Sequence, residues 1–311
     1  MKVCFIGLGS IGTRHCCNLT KICMEEKIPL EIHAVRSSNG KLRSELDDKN
    51  LHFLYSFEEM DSDYDAVFIT NPTSKHYETL RKTADRSRCF FIEKPVFEHW
   101  NEDVSELQFR KDAVCYVAAP LRYTGVLQQA QNFVKTNNIY SARAISSSYL
   151  PDWRPGVDYR NTYSAHKELG GGVSIDLIHE WDYLTALFGF PEKIFSISGK
   201  YSHLEIDSDD LAVYIGAYQN LAVEVHLDYF GRKTVRQLEL FTEDGTHIFD
   251  IANAKIIHPN GLIENFREEP NDKYFKEMRY FLSLTDDRDA ISTNTIKHAA
   301  DVLRLAEGID L

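Results

Sequence analysis

The sequence predicts a two-domain chain: a doubly wound parallel α/β sheet over residues 1–120, then an α+β domain with a mostly antiparallel sheet over 121–311. Three observations carry this. Apolar strand-like runs alternate with helical segments up to residue 118, the pattern of a parallel sheet covered on both faces. A glycine turn, "GLGSIG", joins the first strand to the first helix. Beyond residue 190 strand-like stretches follow one another with short turns, as in an antiparallel sheet. The length of 311 residues exceeds a typical single domain and suits two.

Lys2–Ile6 reads as a short strand, and a helix of about fifteen residues opens at Ser10. "LEIHAVRSS" (30–38) and "LHFLYS" (51–56) are the second and third strands. A fourth runs from Asp65, turns through Asn71-Pro72 and enters a helix near Ser74. "CFFIEKPV" (89–96) and "AVCYVAAP" (113–120) are two more buried strands, with a polar helix expected between them. "YTGVLQQAQNFVKT" is helical and "SARAISSSYL" (141–150) extended. After a polar loop, "GGGVSIDLIHEWDYLTALFG" predicts one helix stopped by Gly189. Strands follow to residue 251, with a hairpin turn at Asp244-Gly245. The tail returns to helix from Asp272, and the final helix, from about Asn294, is a candidate to pack back on the first domain.

Composition narrows the function class. A formal charge of −12 argues against nucleic-acid or anionic-membrane partners, so an anionic ligand needs a local basic cluster. No apolar run approaches the ~18 residues of a membrane span, and the opening "MKVCFIG" lacks the layout of a signal peptide. The six cysteines (4, 16, 17, 23, 89, 115) form no C-x-x-C pair. Reduced thiols, a cytoplasmic location and no metal are the expectation.

The glycines are read in context. Gly7 permits the tight turn, Gly9 lets the backbone approach a pyrophosphate, and Gly12 allows close helix–strand packing. Phosphates would sit on the helix N-terminus at Ser10 and Ile11, with Arg14 adding charge nearby. This makes residues 1–120 a Rossmann-type NAD(P)-binding domain. At the end of the second strand, where an NAD site places a carboxylate, stands Arg36, followed by Ser37 and Ser38. A guanidinium with hydroxyls suits a 2′-phosphate, so NADP is favoured and NAD stays open. Thr70, Asn71, Pro72 and His76 end the fourth strand, and Glu93, Lys94 and Pro95 the fifth, where ligands of this fold bind.

The glycine fingerprint, "TNPTSKH", the Glu-Lys-Pro strand end and the "GGGVSIDLIHEWDY" segment occur in that order. Together they resemble the glucose–fructose oxidoreductase / inositol dehydrogenase (Gfo/Idh/MocA) family over essentially the whole chain. The resemblance implies NAD(P) in the first domain, an open sheet in the second, a homodimer or homotetramer, and a sugar, sugar acid, cyclitol or nucleotide-sugar substrate. The reaction implied is hydride transfer between a hydroxyl-bearing carbon and the nicotinamide.

Lys94 then lies beside the nicotinamide, where its ammonium can stabilise alkoxide-like charge. Asp176 and His179, three apart on one predicted helix, are neighbours on a face; His179 is the candidate base and Asp176 its orienting carboxylate. The family pattern spaces the pair by four, so Glu180 is the alternative base. No third residue is spaced to complete a metal site. For the substrate, Arg122, Tyr149, Trp153, Arg154, Tyr159 and Arg160, with Tyr163, offer cations and flat faces suited to an anionic sugar-type molecule. The opposing reading is that these arginines pair with carboxylates of an acidic protein. Two other functional readings stay open: a catalytically idle NADP-binding sensor, and an enzyme whose tightly held cofactor cycles within one turnover.

Overall fold

The computed structural model describes residues 1–36, 43–287 and 289–311. The chain divides into two compact units, Met1–Pro120 with Asn271–Ala300, and Leu121–Pro270 with Asp301–Leu311.

The first unit contains β1 (Lys2–Ile6), α1 (Ser10–Glu26), β2 (Glu31–Val35), β3 (Leu51–Leu54), β4 (Tyr64–Ile69), α2 (His76–Thr83), β5 (Ser87–Ile92) and β6 (Val114–Val117). The strands form one parallel sheet in the order β3-β2-β1-β4-β5-β6. Strand order reverses between β1 and β4, and open α/β sheets bind ligands at the carboxyl ends beside such a reversal. Successive side chains take opposite faces. On one face Phe5 and Phe68 stack at 4.3 Å, and Phe91 lies 5.4 Å from Phe68. Phe281, from the helix Asp272–Asp286, meets both edge-on. On the other, Ile6, Val67, Ile69, Phe90 and Ile92 pack with Leu80, Phe97, Leu107, Ile296 and Ala299.

The helix expected between the last two strands is absent: Pro95–Ala113 holds a single 3₁₀ turn, Val104–Glu106, capped by the Asp103 side chain on the Ser105 N–H. This stretch lacks an apolar helical period. The sheet face it crosses is filled by Phe97 and Leu107 together with Ile296 and Ala299 from far along the chain.

The second unit contains α3 (Gly125–Thr136), β7 (Ser141–Tyr149), α4 (Val173–Asp176), α5 (His179–Phe188), β8 (Lys193–Gly199), β9 (Leu211–Ala217), β10 (Ala222–Asp228), β11 (Phe230–Thr242), β12 (Gly245–Asp250), β13 (Lys255–Ile257) and β14 (Ile263–Asn265). They form an eight-stranded sheet in the order β14-β13-β12-β11-β7-β10-β9-β8, antiparallel except between β7 and β10. The β11–β12 hairpin closes through Glu243-Asp244, with Gly245 (φ +119°) opening β12, one residue earlier than the expected turn. Trp181 packs edge-on against Tyr214 at 5.6 Å, tying α5 to the buried sheet face. Two helices end the chain: α6 (Asp272–Asp286) in the first unit, and α7 (Ile296–Ala306), which begins in the first and ends in the second. Among the described residues no helix is long and apolar enough to cross a membrane.

The expected continuous helix over 173–188 is two helices. Leu177 leaves helical geometry (φ −99°, ψ 27°), and α5 restarts at His179. Asp176 and His179 therefore do not share one helix face. The apolar run is unbroken, so the cause is tertiary: buried polar side chains on both sides of the break are each held by a distant partner, as described below.

Candidate functional site

In the first unit the glycines divide by role. Gly7 adopts φ +96°, and a Cβ there would stand 2.8 Å from the Asn71 backbone. A Cβ on Gly12 would lie 2.3 Å from the Gly7 carbonyl and 2.7 Å from Thr70 Oγ1. These two let the β1–α1 turn, α1 and the end of β4 pack together. Thr70 fastens that packing by donating its hydroxyl to Gly7 O at 2.6 Å. A Cβ on Gly9 would meet nothing within 4 Å. Gly9 is the exposed N-cap of α1 and offers no capping side chain, so the amides of the first turn, at Ser10, Ile11 and Gly12, lack intrahelical acceptors. An open, side-chain-free helix N-terminus fits a pyrophosphate.

Arg14 is exposed, with its guanidinium 4.6 Å from the centre of the Tyr274 ring of α6. Arg36 leaves β2 with its amide bonded to Leu54 O and its guanidinium over Phe53 at 5.2 Å. Ser37 and Ser38 lie outside the described residues. No carboxylate occurs in the sequence between Arg36 and Arg43.

At the next strand ends, Asn71 Nδ2 donates to Thr79 Oγ1, and Pro72 leads extended into the 3₁₀ turn Thr73–Lys75. His76 is buried rather than presented outward. Nε2 faces Asn71 O at 2.9 Å and Nδ1 faces Pro95 O and Val96 O, so the ring links the β4 turn to the β5 turn. Burial lowers its pKa, and the neutral ring donates from one nitrogen. The Lys94–Pro95 peptide is cis.

Sequence reasoning missed the partner of Glu93. His15, fully buried on α1, places Nε2 2.5 Å from Glu93 Oε1, while Glu93 Oε2 accepts the Lys94 amide. Burial pushes Glu93 up, but the hydrogen bond and charge from His15, with Lys94, outweigh it and hold the carboxyl below its usual range. The signal was present: the buried stripe of α1 runs Gly12, His15, Cys16, Leu19, Ile22, Cys23, and a histidine on such a stripe needs a partner.

In the second unit Asp176 is buried and accepts from two phenols, Tyr229 at 2.6 Å and Tyr163 in a shorter contact. Burial, then the Asp176 charge, raises both tyrosines, so both stay protonated donors. Trp153 meets Tyr229 edge-on at 5.2 Å and donates its Nε1 proton to Ser148 Oγ. His179, half-buried, begins α5. Glu180 is wholly buried and paired with Arg236 Nε at 2.8 Å.

The predicted substrate residues separate. Arg122 makes a bidentate pair with Asp182, at 2.8 and 2.7 Å. Arg160 is held between Asp158 and Glu205, and Tyr159 OH accepts the Glu205 amide. Tyr149 lies under Arg232 at 3.7 Å, and Arg154 sits 5.6 Å above Tyr163. A hollow of about 10 Å³, lined by Leu150, Trp153, Arg154, Val157, Tyr159, Thr162 and Ser164, has room for about one water. Among the described residues no group of three or more His, Cys, Asp or Glu is placed to hold a metal.

Residues 1–118 match the family described as an oxidoreductase family with an NAD-binding Rossmann fold. The uncharacterized oxidoreductase YrbE of Bacillus subtilis (strain 168) is 26% identical, covering 93% of this chain and 86% of its own. Myo-inositol 2-dehydrogenase of Thermotoga maritima is 23% identical, covering 91% and 87%. Levoglucosan dehydrogenase, solved with NADH and levoglucosan, superposes with a TM-score of 0.82 at 16% identity, over 99% of this chain and 96% of its own, a likeness of fold. Residues 1–118 are thus similar to the NAD-binding Rossmann fold of the Gfo/Idh/MocA oxidoreductases, and the relatives that match along most of the chain bear oxidoreductase and dehydrogenase names.

Proposed function

We propose that the chain is an NADP-preferring dehydrogenase that moves a hydride between the nicotinamide and a hydroxyl-bearing carbon of a sugar, sugar acid or nucleotide sugar. The observation that carries this reading is the α1 N-terminus: Gly9 leaves open space where Gly7 and Gly12 are filled by close packing. The sugar-type substrate is supported by relatives whose names specify inositol and levoglucosan. Arg36, in a stretch without carboxylates, supports NADP over NAD.

A bound nicotinamide supplies the hydride acceptor or donor. The chain's own residues bind and handle the proton. The amides of Ser10, Ile11 and Gly12 would hold the pyrophosphate. Glu93, fixed by His15, takes the Lys94 amide and so fixes the backbone that presents the Lys94 side chain. The Lys94 ammonium is assigned to the reacting oxygen, where it stabilises alkoxide-like charge. In the oxidising direction the hydroxyl proton goes to His179, and it returns from there in the reducing direction. Glu180 is disfavoured as base because its carboxylate is buried against Arg236. Asp176 accepts from the Tyr229 and Tyr163 phenols, which hold its carboxyl group in place.

Titration of the chain with NADP and NAD, followed by a panel of polyols, sugar acids and nucleotide sugars, tests the reading. NADP binding more tightly than NAD, with turnover of at least one panel member, is the expected result. Near-equal affinities would remove the Arg36 argument, and absence of turnover across the panel would remove the dehydrogenase. Release of cofactor on gel filtration separates an ordinary dehydrogenase from one that retains its cofactor through the cycle.

A further inference from the structure

We infer that Arg154 and Arg232 form an anion subsite in the second unit, so that the molecule bound beside Asp176 carries a carboxylate or a phosphate. This rests on the proposed function only for what then happens to that molecule.

Six of the eight arginines in this unit form two contrasting groups. Arg122, Arg143, Arg160 and Arg236 each have a carboxylate within 4.0 Å. Arg154 and Arg232 are exposed, and neither has an ion pair among the described residues. In a chain with 47 acidic and 35 basic side chains, an arginine without a carboxylate departs from what charge balance favours. Each instead lays its guanidinium on a tyrosine, Arg232 on Tyr149 at 3.7 Å and Arg154 on Tyr163 at 5.6 Å. A ring under a guanidinium offers a cation–π contact but takes none of its N–H hydrogen bonds, and those donors can take a carboxylate or phosphate bidentately.

The two stacks belong to one contact network. β7 and β11 pair Tyr149 with Phe230 and Ser147 with Val235, so Gly231, Arg232, Lys233 and Thr234 stand opposite Ser148 alone. This bulge places Arg232 over Tyr149, and Asp228 fixes its root by accepting the Phe230 and Gly231 amides. Ser148 accepts from Trp153; Trp153 packs on Tyr229; Tyr229 and Tyr163 both donate to Asp176; and Arg154 covers Tyr163. Both cations thus stand on aromatic rings tied into the Asp176 cluster. Sequence reasoning included Arg154 but could not find Arg232, because only the bulge brings residue 232 to Tyr149.

Calorimetric titration of glucose, glucuronate, glucose 6-phosphate and UDP-glucose, with and without NADP, into the wild type and the Arg154→Gln/Arg232→Gln variant tests this. At least one anion is expected to bind about tenfold or more tighter than glucose, and to weaken about ten- to hundredfold in the double variant. Cofactor affinity and melting temperature should not move, since both side chains are exposed. Arg154→Lys/Arg232→Lys is expected to recover part of the loss. The glucuronate and glucose 6-phosphate arms show which anion the subsite takes. If no anion outbinds glucose, or if the Gln variant keeps the preference, the subsite is wrong. Anion binding that is lost in the variant, together with no hydride transfer, would leave the subsite standing and remove the dehydrogenase.

Discussion

His15 Nε2 stands 2.5 Å from Glu93 Oε1, joining the first turns of α1 to the end of β5. The two residues are 78 apart in sequence, yet they connect the helix that carries the glycine turn to the backbone that presents Lys94. The Glu93 carboxyl is held below its ordinary value, 4.5, in the folded chain. Its ionised form therefore contributes stability above about pH 4.5, and that contribution is lost as pH falls through the lower folded value. Glu93→Gln should lose about 1–3 kcal/mol at neutral pH and show a shallower decline on acidification, measured by urea unfolding across pH. Parallel acid slopes would show that Glu93 is not the group responsible.

Gly9 and Gly12 should respond in opposite ways. Gly12→Ala puts a Cβ against the Gly7 carbonyl and should lower the melting temperature. Gly9→Val enters open space at a backbone φ of −68° and should leave the melting temperature alone while weakening NADP binding about tenfold or more. A Gly9→Val chain that binds NADP normally would show that the phosphates do not sit there.

The proposed preference for NADP can be tested at Arg36. Arg36→Asp replaces a cation by a carboxylate at the proposed 2′-phosphate contact, and NADP affinity should fall about a hundredfold relative to NAD. Unchanged discrimination, read from paired titrations, would assign the 2′-phosphate to other groups.

The first unit's fold was legible because each signal was local. Apolar strands, a glycine turn and strand–helix alternation fix a doubly wound sheet without knowledge of distant contacts. The failures share the opposite character. The helix expected after β5 is missing because Ile296 and Ala299 fill its face from about two hundred residues on. The break between Asp176 and His179 sits in a segment with unbroken helical pattern, since Asp176, Glu180 and Asp182 are each held by a distant side chain: Tyr229, Arg236 and Arg122. Arg122 and Arg160 looked like ligand residues by type, and only tertiary contacts show Asp182 as the partner of Arg122 and Glu205 as a partner of Arg160.

The two candidate bases can be told apart. Glu180→Gln removes charge from a buried pair with Arg236 and should destabilise the chain by several kcal/mol. His179→Asn should lower kcat about a hundredfold or more. A pH–rate profile that keeps its lower limb in His179→Asn would move the proton to another group.

Lys94 is the residue proposed to act on the reacting oxygen of a substrate oxidised by NADP. The direct measurement is formation of reduced nicotinamide by wild type and Lys94→Ala, with NADP affinity measured on the same samples. Lys94→Ala is expected to bind NADP as the wild type does and to form no reduced nicotinamide. Turnover by Lys94→Ala at the wild-type rate would contradict it.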